Sequence, residues 1–262
     1  MNVLDFKNKK TQREKISVVT CYDYTSARIL NSTRIDAILV GDSLAMTMYG
    51  ERSTLPATIE VMAQHTTAVV RGAPDKFIIG DLPFLSYRSS LSENMNAVAA
   101  LMRTGAHAVK LEGVDGNEEF IRHLVGSGVP VMGHLGLTPQ SVNQLGGFRV
   151  QGRDRNQAEL ITSAAQKLEA AGCFSVVLEC VPSALGRTIS ESLSIPTIGI
   201  GAGPDTDGQV LVWQDLLGMN KDFKPKFVRQ YLNAGEQIES ALNQFADDVI
   251  AKKFPEARES YE

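Results

Sequence analysis

The sequence predicts a closed (β/α)8 barrel, an α/β fold in one domain over residues 1–262 with an N-terminal capping segment and C-terminal helices. Three observations carry that expectation. Short β-branched apolar runs recur along the chain, most of them end in a polar or acidic residue, and helix-forming stretches separate most of them. Near-continuous apolar strands are those buried on both faces, as in a parallel sheet, and eight such units close the sheet on itself. A chain of 262 residues has the length for it, since such barrels typically need about 250. An open doubly wound sheet is the competing arrangement.

The runs, in order, are ISVVTCYD (16 to 23), AILVGDS (37 to 43), KFIIGDLPF (76 to 84), HAVKLEG (107 to 113), VPVMGHLGL (129 to 137), SVVLECV (175 to 181), PTIGIGAG (196 to 203) and QVLVWQD (209 to 215). Ser90 and Glu93 form a capping box ahead of Val98, Leu101 and Met102, and Gly105 stops that helix. A second helix, over 156 to 171, places Leu160, Ile161, Ala164, Leu168 and Ala171 on one stripe before Gly172. Only about eight residues separate the apolar parts of the last two runs, fewer than a parallel crossover usually needs. The eighth strand or its helix is therefore the least defined element. After Pro225 come two amphipathic patterns, Phe227-Val228-Tyr231-Leu232 and Ile238-Ala241-Leu242-Phe245-Val249, expected to pack on the barrel or on a neighbouring subunit.

Composition narrows the function classes. A net charge of −4 and a pI near 5.7 give no electrostatic footprint for nucleic acid or an anionic membrane. Cys21, Cys173 and Cys180 are odd in number and lack C-x-x-C spacing, which argues for packing thiols over a disulfide framework or zinc site. The basic N-terminus has no apolar run behind it, unlike a secretory signal, and no segment is apolar enough to span a membrane. A cytoplasmic protein is expected.

The charges in AVKLEG (108 to 113) pose the functional question. Side chains alternate across a strand, so Lys110 and Glu112 share one face, opposite Val109 and Leu111. Asp42, Asp81 and Glu179 fall at equivalent positions near the ends of three other runs. In a barrel those ends converge on one mouth, where active sites of this architecture are built. Carboxylates gathered in a partly dry mouth repel one another, and Lys110 alone does not balance them. An oxygen-only ligand set suits Mg2+, which retains waters and leaves room for substrate oxygens. A spare acid is then available as a base.

LVGDSLAMTMYG with STLPAT (39 to 58), GDLPF (80 to 84), VKLEG (109 to 113), GHLGLTPQSVN (133 to 143), GGFRVQGR (146 to 153), LECVP (178 to 182) and GIGAG with DGQVLV (199 to 212) together resemble the ketopantoate hydroxymethyltransferases, in unbroken order from about residue 16 to 220. The resemblance implies a TIM barrel of the phosphoenolpyruvate mutase/isocitrate lyase type. It implies transfer of a one-carbon unit from 5,10-methylenetetrahydrofolate to 2-oxoisovalerate in pantothenate biosynthesis, with Mg2+ stabilising an enolate. Carried over by position, Asp42 and Asp81 match the family's metal-site aspartates and Glu112 its third acid. Ser43 and Lys110 match keto-acid-binding residues, and Glu179 the proton acceptor. A homo-oligomer, commonly a decamer, is implied as well.

His134 ends the fifth run and either orients a substrate, bonds a carboxylate, or is a satisfied interior histidine. The connection from Ser141 to Asn156 carries Arg149, Arg153 and Arg155 and reads as a lid, a folate-side loop, or a solvated loop. GIGAG lacks the spacing of a dinucleotide-phosphate loop and reads as close backbone packing. The family pattern usually has Gly where Ala45 stands and often Gln where Tyr49 stands, which bears on loop shape. Two other readings compete: a Mg2+-dependent lyase or aldolase of the same superfamily acting on another 2-oxo acid, and a non-catalytic subunit.

Overall fold

In the computed structural model, which describes residues 1–220 and 225–261, eight parallel strands form a closed barrel in sequence order, β8 pairing back to β1. The barrel unit runs α1 (Val3–Gln12), β1 (Ile16–Thr20), α2 (Tyr24–Asn31), β2 (Ala37–Val40), α3 (Leu44–Tyr49), α4 (Ile59–Gly72) and β3 (Phe77–Asp81). It continues with α5 (Leu91–Met102), β4 (Ala108–Glu112), α6 (Glu118–Gly126), β5 (Val131–Gly136), α7 (Val142–Leu145) and α8 (Arg155–Ala171). It ends with β6 (Ser175–Glu179), α9 (Ser183–Ser192), β7 (Thr197–Ile200) and β8 (Gly208–Leu211). The expected capping box is present: Ser90 and Glu93 satisfy each other's backbone N–H groups at the start of α5.

Two rows of side chains issue from each strand. The inward row contributes Ile16, Val18, Ala37, Leu39, Phe77, Ile79, Ala108, Met132, Val177, Ile198 and Val210 to one buried cluster. The outward row meets the helices: a Cβ on Gly133 would lie 2.5 Å from a Leu168 methyl of α8, and one on Gly80 3.5 Å from Leu101 of α5. Glycine at 133 is what allows α8 to approach β5 this closely.

The N-terminal helix closes the floor. Asn2 and Asp5 form a capping box that starts α1, and the helix drives Phe6, fully buried, between Phe77 and Phe174 at centroid distances of 5.2 and 5.1 Å. Both partners lie at the N-terminal ends of their strands. Lys10 anchors the helix by donating to Asp207 Oδ2 at 2.7 Å and to the Ser190 carbonyl at 2.8 Å.

Three local expectations differ from the structure. No helix joins β7 to β8; seven residues, 201 to 207, make that parallel connection, with Gly201 and Gly203 at positive φ. Leu160 is 71% exposed, because the buried stripe of α8 is Ala165, Leu168 and Ala171, whereas its first turns stand at the mouth, where Leu160 borders a cavity. The stretch Phe227–Leu232 is not helical, since six residues provide too few turns to offset helix nucleation.

A second compact unit begins at Val212. It contains α10 (Trp213–Leu216) and α11 (Ala234–Ile250), the latter being the second amphipathic pattern, and the Phe245 and Phe254 rings meet edge to face at 5.4 Å. Among the described residues, no helix is long and apolar enough to cross a membrane.

Candidate active site

The inward rows that begin apolar at the floor end in charge at the mouth. Phe77 and Ile79 are followed by Asp81, Ala108 by Lys110 and Glu112, Met132 by His134, and Val177 by Glu179. Strand register sets neighbours: Asp81 pairs with Lys110, Glu112 with His134, and Gly136 with Glu179. Asp42 and Ser43 follow β2 in the tight turn into α3. Asp42, Asp81, Lys110, Glu112 and His134 are all buried, while the Glu179 side chain keeps 18% of its surface open.

Lys110 Nζ lies 2.8 Å from Asp81 Oδ2 and 3.4 Å from His134 Nδ1. The same Asp81 oxygen accepts the Asp42 N–H at 3.3 Å. His134 stands between two carboxylates, with Nδ1 3.2 Å from Glu112 Oε1 and Nε2 3.1 Å from Glu179 Oε2. These are ion-pair distances without hydrogen-bond alignment, so Glu112 Oε1 and His134 Nε2 have no hydrogen-bond partner, and neither does Asp81 Oδ1. Ser43 Oγ is held by the Tyr22 hydroxyl at 2.8 Å.

Negative charge is in excess. Burial, followed by repulsion from Asp81 and Glu112, pushes the Asp42 carboxyl well above the usual carboxylate range. Burial also raises Asp81, against the pull of Lys110. For Lys110, burial works against the ammonium, but Asp81, Glu112 and Asp42 outweigh it and raise its pKa. Burial and Lys110 likewise oppose charging His134, yet Glu112 and Glu179 push its pKa up to about 9.

Among the described residues, no three Asp, Glu, His or Cys side chains are drawn together as a ready-made metal cage. Mg2+ does not require one: it usually takes one or two carboxylates and fills the rest of its octahedron with water and substrate oxygen. Uncommitted buried oxygens on Asp81 and Glu112, with Asp42 beside them and net negative charge, fit such a cation. Next to Glu112, a cavity of about 640 Å3 opens between Phe84, Leu85, Tyr87, Leu135 and Gln140, a size within the range of small-molecule sites.

Residues 1–257 match the family model described as ketopantoate hydroxymethyltransferase. The chain belongs to that family. Among its curated relatives, the 3-methyl-2-oxobutanoate hydroxymethyltransferase of Bdellovibrio bacteriovorus is 62% identical over 259 residues, covering 99% of this chain and 98% of its own. Those of Coxiella burnetii and Francisella tularensis subsp. novicida are 58% and 53% identical, covering 97% and 100% of this chain and 96% and 98% of theirs. The fold is also that of 2,3-dimethylmalate lyase, a PEP mutase/isocitrate lyase superfamily member (TM-score 0.60, 14% identity, 97% of this chain and 86% of that one). Phosphoenolpyruvate phosphomutase from Streptomyces platensis subsp. rosaceus shares it too (TM-score 0.61, 10% identity, 97% and 88% coverage).

In this ketopantoate hydroxymethyltransferase family member, Asp42, Ser43, Asp81, Lys110, Glu112, Glu179 and His134, the site residues read from the sequence, all lie at the C-terminal ends of the barrel strands. His65 and His107 are elsewhere: His65 bonds the Tyr22 carbonyl and the Tyr49 hydroxyl, while His107 accepts the Ile78 N–H and stacks on Phe77. GIGAG serves close packing, since a Cβ on Gly203 (φ +84°) would lie 2.1 Å from Ser183 Oγ. The Ser141–Asn156 connection carries α7, and Arg155 pairs with Glu159 on α8.

Sequence reasoning missed Gln140, Tyr22 and Tyr87. Gln140 lies inside the quoted GHLGLTPQSVN stretch, and a 3-10 turn at Pro139–Ser141 delivers it into the mouth. It also missed the backbone around Glu179. Gly136 (φ +91°) runs so close to β6 that a Cβ there would lie 2.2 Å from the Glu179 carbonyl oxygen, and Cys180 turns left-handed at φ 48°. Backbone bonds from Cys180 N to the Ile200 carbonyl and from Gln151 N to the Cys180 carbonyl hold that unfavourable conformation.

Proposed function

We propose that this chain transfers a hydroxymethyl group to 3-methyl-2-oxobutanoate, giving 2-dehydropantoate in pantothenate biosynthesis. The methylene carbon comes from 5,10-methylenetetrahydrofolate and the hydroxyl from water. The observation that carries this reading is the gathering of Asp42, Asp81, Lys110, Glu112, His134 and Glu179 at one mouth in a member of this family.

Asp42, Asp81 and Glu112 would hold Mg2+, with Asp81 Oδ1 and Glu112 Oε1 as uncommitted oxygens. When bound, the cation supplies Lewis acidity toward the oxygens of a 2-oxo acid, which acidifies the hydrogen on C3. Lys110 contributes a fixed positive charge beside the keto-acid carboxylate, and Ser43, oriented by Tyr22, contributes a hydroxyl. Glu179 accepts the C3 proton as general base. It suits that role because its carboxylate is the one acid of the group that remains partly open to the mouth. His134, 3.1 Å from Glu179 Oε2, keeps that carboxylate aimed and supports its charge. Water releases the methylene group from the folate as formaldehyde, both C–N bonds being replaced by N–H; the C3 electron pair adds to that carbon, and the former carbonyl oxygen takes the proton back from Glu179 to become the hydroxyl, with the cavity beside Glu112 leaving room for the folate.

The test is 2-dehydropantoate formation by the purified protein from the two substrates, with Mg2+ and with EDTA. Metal-dependent product is expected. A folded protein that binds Mg2+ and keto acid but yields no product overturns this reading in favour of a lyase acting on another 2-oxo acid. We also read the enzyme as cytoplasmic and, as the family resemblance implies, as a homo-oligomer. Sedimentation as a monomer would remove the second part.

A further inference from the structure

Gln140 is a buried amide whose hydrogen-bonding groups are committed to the mouth. Its backbone N–H donates to Glu112 Oε2 at 3.0 Å, and its Nε2 donates to Asp42 Oδ2 at 2.8 Å and to the Leu82 carbonyl at 3.0 Å. Its Oε1 accepts the Tyr87 hydroxyl at 2.6 Å. One residue from the turn after β5 thus binds an acid beyond β2 and another on β4.

The amide has one orientation only. The two ends of a glutamine side chain have nearly the same shape, and neighbouring donors and acceptors decide between them. The Leu82 carbonyl can only accept, and the Tyr87 hydroxyl, which takes the Glu112 backbone N–H at 3.2 Å and also reaches the Glu112 carbonyl at 3.4 Å, offers its proton at 2.6 Å to Gln140 Oε1. The amide NH2 must then face Asp42. The chain of bonds runs from the β4 backbone through Tyr87 and Gln140 to Asp42, while the Gln140 backbone returns to the side chain of Glu112.

A donor on one oxygen of a carboxylate fixes its plane and selects which oxygen faces the other way. On Glu112, Gln140 takes Oε2, and Oε1 is left buried without a hydrogen bond. We infer that Gln140 is a positioning residue that sets the orientation of the Asp42 and Glu112 carboxylates, and that Tyr87 fixes the orientation of Gln140. The inference rests on the proposed function in one respect, that these carboxylates receive a divalent cation.

The experiment measures Mn2+ binding to the full chain without substrates, by electron paramagnetic resonance, for the wild type, Gln140→Glu, Gln140→Met and Tyr87→Phe, with thermal midpoints alongside. Gln140→Glu preserves shape but replaces the donor facing Asp42 by a carboxyl whose charge would by itself attract the cation, so a packing role predicts Mn2+ affinity at or above that of the wild type. The positioning role predicts Mn2+ affinity lower by roughly 10- to 100-fold in both Gln140 variants, the usual range for groups that orient ligands. It predicts a smaller loss in Tyr87→Phe, which keeps its ring, and a folded Gln140→Met with a lowered midpoint, because Asp42, Leu82 and Tyr87 lose their buried partner. Wild-type or higher affinity in Gln140→Glu, or wild-type affinity in Tyr87→Phe, overturns the inference alone. No Mn2+ binding by the wild type overturns the cation reading and this inference with it.

Discussion

Lys110 Nζ stands 2.8 Å from Asp81 Oδ2, across neighbouring strands on which the two are register partners, and water reaches neither to any extent. The pair answers why a strand of the barrel interior carries a lysine. It offsets one acid of a group in which negative charge is in excess. In the proposed function the same pair holds the ammonium that would meet the keto-acid carboxylate.

Removing that ammonium leaves buried carboxylates uncompensated. Lys110→Met is expected to lose about 3–5 kcal/mol of stability, the usual cost of breaking a buried pair from one side, and to bind keto acid more weakly. Urea denaturation and calorimetry measure the two effects. A variant with wild-type stability and affinity would refute the role given to Lys110.

Glu179→Gln separates chemistry from binding. The amide keeps the shape of the side chain but cannot take a proton, so turnover should fall by about 10^2–10^4-fold. Mg2+-dependent keto-acid binding should persist. Equal loss of both would place Glu179 among the binding groups instead.

Gly136→Ala tests the backbone that holds Glu179. Its Cβ would fall 2.2 Å from the Glu179 carbonyl oxygen at φ +91°, so β5 and β6 must part at the mouth. A stability loss of more than about 1 kcal/mol is expected, with a fall in turnover measured on the folded protein. Full activity in a folded variant would mean that Glu179 tolerates displacement.

Phe6→Ala probes the floor. Truncating this fully buried ring between Phe77 and Phe174 should cost about 3–5 kcal/mol. Substrate affinities of the folded fraction should be unchanged, because the ring lies at the end of the barrel away from the acids. A shift in KM would show that the two ends are coupled.

Asp36 supplies a pH dependence. Burial raises its carboxyl, but Lys9 at 2.7 Å and the Ser17 N–H and hydroxyl at 2.8 and 2.9 Å outweigh that and hold it below the usual carboxylate range. With the folded value the lower one, the stabilisation is fully present above the unfolded pKa and is lost as pH falls through the folded value. Asp36→Asn should therefore be less stable than wild type at pH 7, with the gap narrowing toward pH 3 in urea melts. A gap independent of pH would assign the effect to packing.

The sequence made the strand-end acids legible because alternation is strict: once AVKLEG is taken as a strand, Lys110 and Glu112 must share a face. Ser90 and Glu93 were legible for a similar reason, their spacing being the capping interaction itself. Gln140 was not, because its partners Asp42, Leu82 and Tyr87 are distant in sequence and only barrel closure brings them to it. The closeness of Gly136 to Glu179 is hidden in the same way. The short link from β7 to β8 escaped the usual crossover length because turns through Gly201 and Gly203 replace the helix. Leu160 had a helical apolar period, but period alone does not say where along α8 the sheet ends.

The inward rows of the barrel give the site an odd-even grammar. Phe77, Ile79 and Asp81 share one parity, as do Ala108, Lys110 and Glu112, and Val177 and Glu179. Loss of the Ala108 codon at the start of β4 would therefore turn Lys110 and Glu112 outward among the helices and bring Val109 and Leu111 in, taking both charges from the mouth at one stroke. Loss of two would only slide the charges along the same face. Insertions and deletions of any count belong to the loops of this chain, and within its strands the tolerated steps come in pairs.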